Sequence, residues 1–270
     1  MVTVGDVREA FAALGIGEGD TVLVHSSLRS MGELENGPAT VIDGIFSRIG
    51  RDGTLLMPTL SMVDFPNSRK TWYRDKPSDT GYLSEYFRKQ PYVYRSDSPT
   101  HSVAARGRLA YEYTREHEER GPHICALGDG AFADSSPWSK LYRNDAFLVF
   151  IGVDMSCNTM KHLVESRFIE ALLACVSDEE RAAALRSRLR RFETFDEGGL
   201  WPFYDSGKME AVLARAGLVT YTQLGRATLR AVHAKASSDM ALFLLQNEPE
   251  KWCDADMLAW IGACKKDQLP

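Results

Sequence analysis

The chain has 270 residues, 44% of them hydrophobic, and a net charge of −5. That length favours one large domain with an ordinary apolar core, and the acidic balance argues against nucleic acid as a partner while tolerating cationic substrates. The five cysteines are scattered without a CxxC, as in a reducing cytoplasm; no run is long and apolar enough for a membrane helix, and the start MVTVGDVREAF lacks the regions of a signal peptide.

In chain order, Thr3 and Asp6 form a capping box, and Val4, Val7, Phe11 and Leu14 recur at helical spacing until Gly15 and Gly17. DTVLVH (20–25) reads as a buried strand, 39–49 as an amphipathic helix, and Thr54 to Pro58 as a second strand after the turn Asp52-Gly53. Asp79-Thr80 is expected to cap a helix through Arg88, followed by a strand over 92–96 and a helix over 108–118. Ser136-Pro137 opens a short helix with proline at its first position. Ala146 to Val153 is the clearest buried strand, and Thr159 to Ile169 a helix. Strands alternating with helices predict a layered α/β fold.

The stretch 177–192 reads as a helix with a basic end, opened by a capping box of Ser177 and Glu180. ETFDEGGLWPFYD (193–205) reads as a loop whose WPFY cluster serves packing. Helices are expected over 208–216, 239–247 and 255–264, with a strand over 218–222. The whole of 1–270 is expected to be one domain, with 171–206 as a smaller lobe over the main sheet.

Three segments could carry chemistry. HSSLRSMG (25–32) closes the first strand, where exposed backbone N–H groups and hydroxyls can cradle an anionic, amide-rich ligand. It has neither the Walker A lysine nor GxGxxG spacing. RSDSPTHSVAARG (95–107) is rich in small residues that permit close approach, and flanks His101 with hydroxyls. NTMKHLVE (158–165) follows the strongest strand: Met160, Leu163, Val164 and Phe168 form an apolar stripe, while His162, Glu165 and Ile169 fall on the opposite side. His162 and Glu165, three apart, are neighbours. The positive helix end disfavours the imidazolium, as suits a general base. Alone, the first two segments read better as a polar loop and a tight turn, and the third divides evenly between a base and a solvated helical face. No HExxH, EF-hand loop or G-x-S-x-G occurs, so no metal is expected.

Together, in this order and with GTLLMPT (53–59) and SSPWSKLYRNDAFLVFIGV (135–153), these segments resemble the aminoglycoside 3-N-acetyltransferase family, over roughly residues 5–170 and faintly at GRATLRAV (225–232). The ordered set reverses the balance struck for each segment alone. The resemblance implies a three-layer α/β/α fold, acetyl-CoA as acyl donor, a small-molecule amine acceptor and often a homodimer; the smaller acceptor-side lobe at 171–206 departs from the antibiotic-modifying members. It places CoA along Ser26, Ser27, Leu28, Arg29, Ser30, Met31 and Gly32, and along Thr100, His101, Ser102 and Val103. It makes His162 the base, with Glu165 beside it. Two positions depart from the family pattern: Ser98 and Ser156 stand where histidine and aspartate are common.

The expected activity is therefore acetylation of a primary amine on an amino sugar by direct transfer, with a hydroxyl or N–H near Ser102 as oxyanion donor. Aminoglycoside resistance is one alternative. A CoA-binding module that has lost catalysis, as Ser98 and Ser156 would allow, is the other. The arginines at 186, 188, 190 and 191 would oppose a polycation and suit an acceptor carrying phosphate, such as a nucleotide-linked amino sugar, unless 178–191 is simply an exposed helix.

Overall fold

The computed structural model describes residues 1–61, 67–192 and 199–266. Its helices are α1 (Val4–Ala13), α2 (Pro38–Ile49), α3 (Ser68–Thr71), α4 (Tyr82–Arg88), α5 (Ala110–Thr114), α6 (Pro137–Arg143), α7 (Lys161–Leu173), α8 (Glu179–Ser187), α9 (Ser206–Arg215), α10 (Ala234–Asn247) and α11 (Ala255–Lys265). Its strands are β1 (Thr21–Ser26), β2 (Thr54–Pro58), β3 (Tyr94–Arg95), β4 (Val103–Gly107), β5 (Phe147–Ile151), β6 (Thr220–Leu224) and β7 (Ala227–His233).

The strands form one seven-stranded sheet in the order β3-β4-β2-β1-β5-β7-β6. β1 runs parallel to both β2 and β5, while β4, β3, β7 and β6 add antiparallel flanks. Parallel strands with both faces covered read as continuous apolar runs, and this is why TLLMP and FLVFI are buried nearly throughout. Alternation then divides their side chains between two cores. Val22, Val24, Val149 and Ile151 meet the core that holds Val7, Phe11 and Ile45 from α1 and α2. Leu23, Leu148 and Phe150 meet the other, with Trp138, Leu163, Phe168 and Trp260 from α6, α7 and α11.

The Thr3–Asp6 capping box forms, with Asp6 N–H donating to Thr3 Oγ1 at 3.2 Å and Thr3 N–H to Asp6 Oδ2 at 2.8 Å. Ser136 caps α6 as expected. Elsewhere local signals misplace an end. Asp178, not Ser177, caps α8 by accepting from Arg181 N–H. Gly81 precedes α4, because the Thr80 hydroxyl donates to Pro58 O at 2.9 Å, tying the helix to the end of β2. The helix expected over 108–118 shrinks to α5, whose following residues turn into the long connection to α6. The last sheet helix starts at Ala234, and the GRATLRAV segment contributes β7, which sequence periodicity does not reveal as a strand.

The part of 171–206 outside 193–198 packs inward. α8 lies against α7 and α11, and Leu185, Trp201 and Tyr204 join the same apolar core as the sheet. No helix among the described residues is long and apolar enough to cross a membrane.

Candidate active site

The parallel strands β2, β1 and β5 end at one edge of the sheet, and the chain leaves β1 toward β2 on one side and meets β5 on the other. In open α/β sheets ligands gather outside the carboxyl ends of strands at such a switch point. Here a cleft of about 410 Å³ lies at that edge, lined by His25 and Ser26 of β1, Pro58 of β2, Val153, Cys157 and Thr159. A second concavity of about 490 Å³ meets it at Val153 and Cys157 and extends past Ser30 and Gly152 to Arg226 and Arg230.

The turn after β1 is shaped by close packing. Ser27 N–H donates to Ile151 O at 2.9 Å, and a 3-10 turn over Leu28–Met31 follows, with Ser30 Oγ donating to Ser27 O at 2.6 Å. Gly152 has φ +63, and a Cβ there would lie 1.7 Å from Ser30 Oγ. Only glycine lets the turn lie this close to the end of β5. Of the residues expected along CoA, Ser26 and Ser30 line the cleft. Ser27 and Leu28 are half-buried, Arg29 is exposed, and Met31 is in the core. Gly32 faces a neighbouring concavity beside Arg226.

Thr100, His101, Ser102 and Val103 take a different place, since all four are buried. The Ser102 hydroxyl donates to Thr59 O at 2.9 Å and accepts from Arg95 Nε at 3.2 Å. Val103 N–H donates to Ser96 Oγ at 2.9 Å, and its side chain is in the core. The resemblance puts Ser102 and Val103 along CoA; in the fold the Ser102 hydroxyl and the Val103 N–H turn into the protein, because the strand pairing of β4 with β2 begins there. The Thr100 hydroxyl is buried and, among the described residues, has no hydrogen-bond partner. Ser98 is a scaffold residue. Its Oγ donates to Glu118 Oε1 at 2.8 Å and accepts from His101 N–H at 3.1 Å, fixing the turn that carries His101. Trp138 Nε1 donates to His101 O at 3.0 Å and pins the same turn from α6.

That turn brings His101 to His162, whose ring centroids lie 5.9 Å apart in an edge-on arrangement. Phe132 and Phe203 complete the walls around the His162 ring, at 5.8 and 6.1 Å. His162 sits in the first turn of α7, and its Nδ1 lies 2.7 Å from Glu165 Oε2. Trp201 Nε1 donates to the same oxygen at 2.9 Å. Glu165 is fully buried, whereas the His162 side chain keeps 15% of its exposure. The angular placement of His162, Glu165 and Ile169 opposite the apolar stripe holds, but that side of α7 is not solvated. Glu165 and Ile169 are buried, covered by Trp201 and by neighbouring helices.

These contacts fix a tautomer. An ionised carboxylate only accepts, so Nδ1 carries the proton it shares with Glu165. Nε2 is then the lone-pair nitrogen, and among the described residues no protein group engages it. Glu165 Oε1 is buried and, among the described residues, has no hydrogen-bond partner. A buried carboxylate satisfied on one oxygen only is stabilised when positive charge appears on its neighbour. His101 cannot compete for that proton. Burial, and then the charges of His162 and His117, hold its pKa well below the ordinary histidine value. His25, stacked on Phe150 with centroids 5.1 Å apart, is likewise lowered to about 4 by burial.

Sequence reasoning missed Phe132, Phe203 and the hydrogen-bonding role of Trp201, which it read as packing alone. No local signal marks them, because their partners lie on α7 and in the turn at His101. Ser156 is exposed, and its hydroxyl and N–H both bond to Asp154 Oδ1, so a carboxylate still stands two residues away, on the wall of the groove.

A family model described as aminoglycoside 3-N-acetyltransferase matches residues 23–246. An aminoglycoside N(3')-acetyltransferase-like protein of Bacillus subtilis, YokD, is 30% identical over 182 residues, covering 60% of this chain and 64% of the relative. Aminoglycoside N(3)-acetyltransferase VIII of Streptomyces fradiae is 29% identical over 184 residues, covering 62% and 61%. The matched segment thus spans less than two thirds of each of these relatives. Among solved structures, the apoenzyme of aminoglycoside acetyltransferase AAC(3)-IVa superposes with a TM-score of 0.70 at 21% identity, covering 98% of this chain and 97% of the other. AAC-IIIb in its binary complex with CoASH superposes at 0.68 with 18% identity, covering 93% and 97%. These structural likenesses are ones of fold, and they agree with the α/β architecture read from the sequence. With the family model spanning most of the chain, the protein belongs to the aminoglycoside 3-N-acetyltransferase family.

Proposed function

We propose that this chain is an acetyl-CoA-dependent N-acetyltransferase that acetylates a primary amine of an amino sugar by direct transfer, with His162 as general base. The observation that carries the reading is the imidazole locked at Nδ1 by a buried carboxylate, with Nε2 unengaged at the mouth of α7. Acetyl-CoA, as substrate, supplies the thioester: the amine N–C bond forms, the C–S bond breaks, and the amine proton ends on the CoA thiol. His162 Nε2 takes that proton during attack, since a protonated amine has no lone pair to attack with. Glu165 holds the ring in its tautomer and stabilises the transient imidazolium, while Trp201 keeps Glu165 in place. The cleft supports the donor half, because apolar walls at Pro58 and Val153 and the hydroxyls of Ser26 and Thr159 suit a pantetheine arm.

For the acceptor, the names of the relatives favour an aminoglycoside, and structures of AAC(3)-IVa hold a gentamicin and apramycin. One observation favours a second reading, a nucleotide-linked amino sugar. Arg190 lies over the Phe203 ring at 5.7 Å, and that ring edges His162. Segment 171–206 would then form the acceptor-side wall. The test is thiol release from acetyl-CoA with gentamicin, apramycin and a nucleotide-linked amino sugar. Amine-dependent release is expected. Release no faster than the amine-free blank with every acceptor overturns the reading and leaves the CoA-binding module.

A further inference from the structure

The second concavity of the groove is walled by residues of the hairpin of β6 and β7, and it holds two arginines of different character. Arg230 is committed. Its Nε donates to Glu210 Oε1 at 2.6 Å and its Nη1 to Val153 O at 2.9 Å, so its charge is neutralised in place. Arg226, at the hairpin turn, is exposed and, among the described residues, makes no ion pair.

The position of Arg226 is nevertheless fixed. Its N–H donates to Met31 O at 3.2 Å, docking the hairpin on the turn after β1. The preceding Gly225 has φ +58, and a Cβ there would meet Met31 O at 2.3 Å, so the docking requires glycine. The Arg226 side chain then crosses Gly32, with Nε 3.0 Å from where a Cβ on that glycine would sit. The two glycines let a guanidinium lie flat across the cradle turn, beside Ser30, Gly152 and Thr228. The acidic groups nearby are Asp154, in the groove, and Asp6, Glu9 and Glu33, which line the separate concavity on the far side of Arg226. The groove therefore runs from a mainly apolar cleft to a hydroxyl-lined end with one uncommitted cation.

CoA has the same polarity along its length: an amide-bearing thiol arm, then a diphosphate and a 3′-phosphate. We infer that Arg226 holds a phosphate of the nucleotide half of CoA through charge-assisted hydrogen bonds, and that it separates CoA from shorter pantetheine thiols. The inference rests on the acyltransferase reading above, to which it adds a residue outside the cradle turn. A planar guanidinium matches phosphate oxygens in pairs, and it costs little to desolvate at an exposed site.

Isothermal titration of the wild type and of Arg226→Gln with CoA, 3′-dephospho-CoA and pantetheine tests it. Losing such a contact weakens binding by about tenfold or more. Arg226→Gln is expected to lose that much for CoA and nothing for pantetheine, with Arg226→Lys in between. If the loss vanishes with 3′-dephospho-CoA, the 3′-phosphate is the partner; if it persists, the diphosphate is. Wild-type CoA affinity in Arg226→Gln overturns the assignment of Arg226. A folded wild type that does not bind CoA overturns the acyltransferase reading beneath it.

Discussion

Two hydroxyl-rich segments, 26–32 and 96–103, look alike as text, and the fold puts them to opposite uses. The first lies at the sheet edge, where glycines at 32 and 152 hold its backbone against neighbouring turns and leave Ser26 and Ser30 facing a groove. The second is interior. Ser96, Ser98 and Ser102 spend their hydroxyls on Val103 N–H, His117, Glu118, Thr59 and Arg95, and the product of that network is the position of His101 against His162. A serine-rich turn is open to a ligand where its side chains face a groove, as those of Ser26 and Ser30 do; where its hydroxyls are spent in the interior, as at 96–103, it is scaffold.

The difference is open to test. The largest effect is expected from acid. His25 and His117 have pKa values lowered to about 4 by burial, and His101 is lowered well below its ordinary value for the same reason first. A histidine depressed in the folded state binds protons more readily when unfolded, so its contribution is whole above about 6.5 and is lost as pH falls toward about 4. His123 works the other way. Glu170, then Asp134, raise its pKa, so it favours the folded state below about 6.5 and loses that contribution as pH rises through its folded value. Three groups outweigh one, and thermal unfolding followed from pH 7 to 4 is expected to show a loss on the order of several kcal/mol. Flat stability over that window contradicts the burial of the network.

Ser96→Ala comes next. It strands the buried Val103 N–H and one nitrogen of His117, both within 3 Å of Ser96 Oγ, at a cost of about 3 kcal/mol. Denaturant unfolding should show it, with CoA affinity unchanged. Ser30→Ala is expected to reverse that pattern. Among the described residues its hydroxyl bonds only locally, to Ser27 O, so stability falls by less than about 1 kcal/mol, while CoA affinity drops severalfold. Equal effects on both readouts from the two variants would erase the distinction between cradle and scaffold.

Much of the frame was legible in the sequence, for physical reasons. β1, β2 and β5 are continuous apolar runs because both faces are covered, and the caps at Thr3 and Ser136 are local hydrogen bonds within three residues. β7 escaped because its partly exposed Thr228 and Arg230, facing the groove, interrupt the apolar pattern. The pairing of His162 with Glu165 follows from helical spacing alone. The burial of Glu165 does not, since the covering indole of Trp201 comes from 36 residues away. The orientation of Ser102 depends on Thr59 and Arg95, in two other strands or their ends, and was equally out of reach.

The central claim is that an imidazole locked by a buried carboxylate takes the amine proton. It is tested most directly by turnover of His162→Ala with acetyl-CoA and an accepted amino sugar, alongside its CoA affinity. The account predicts a fall in turnover of about a hundredfold or more with CoA binding nearly unchanged; wild-type turnover in the folded variant would contradict it.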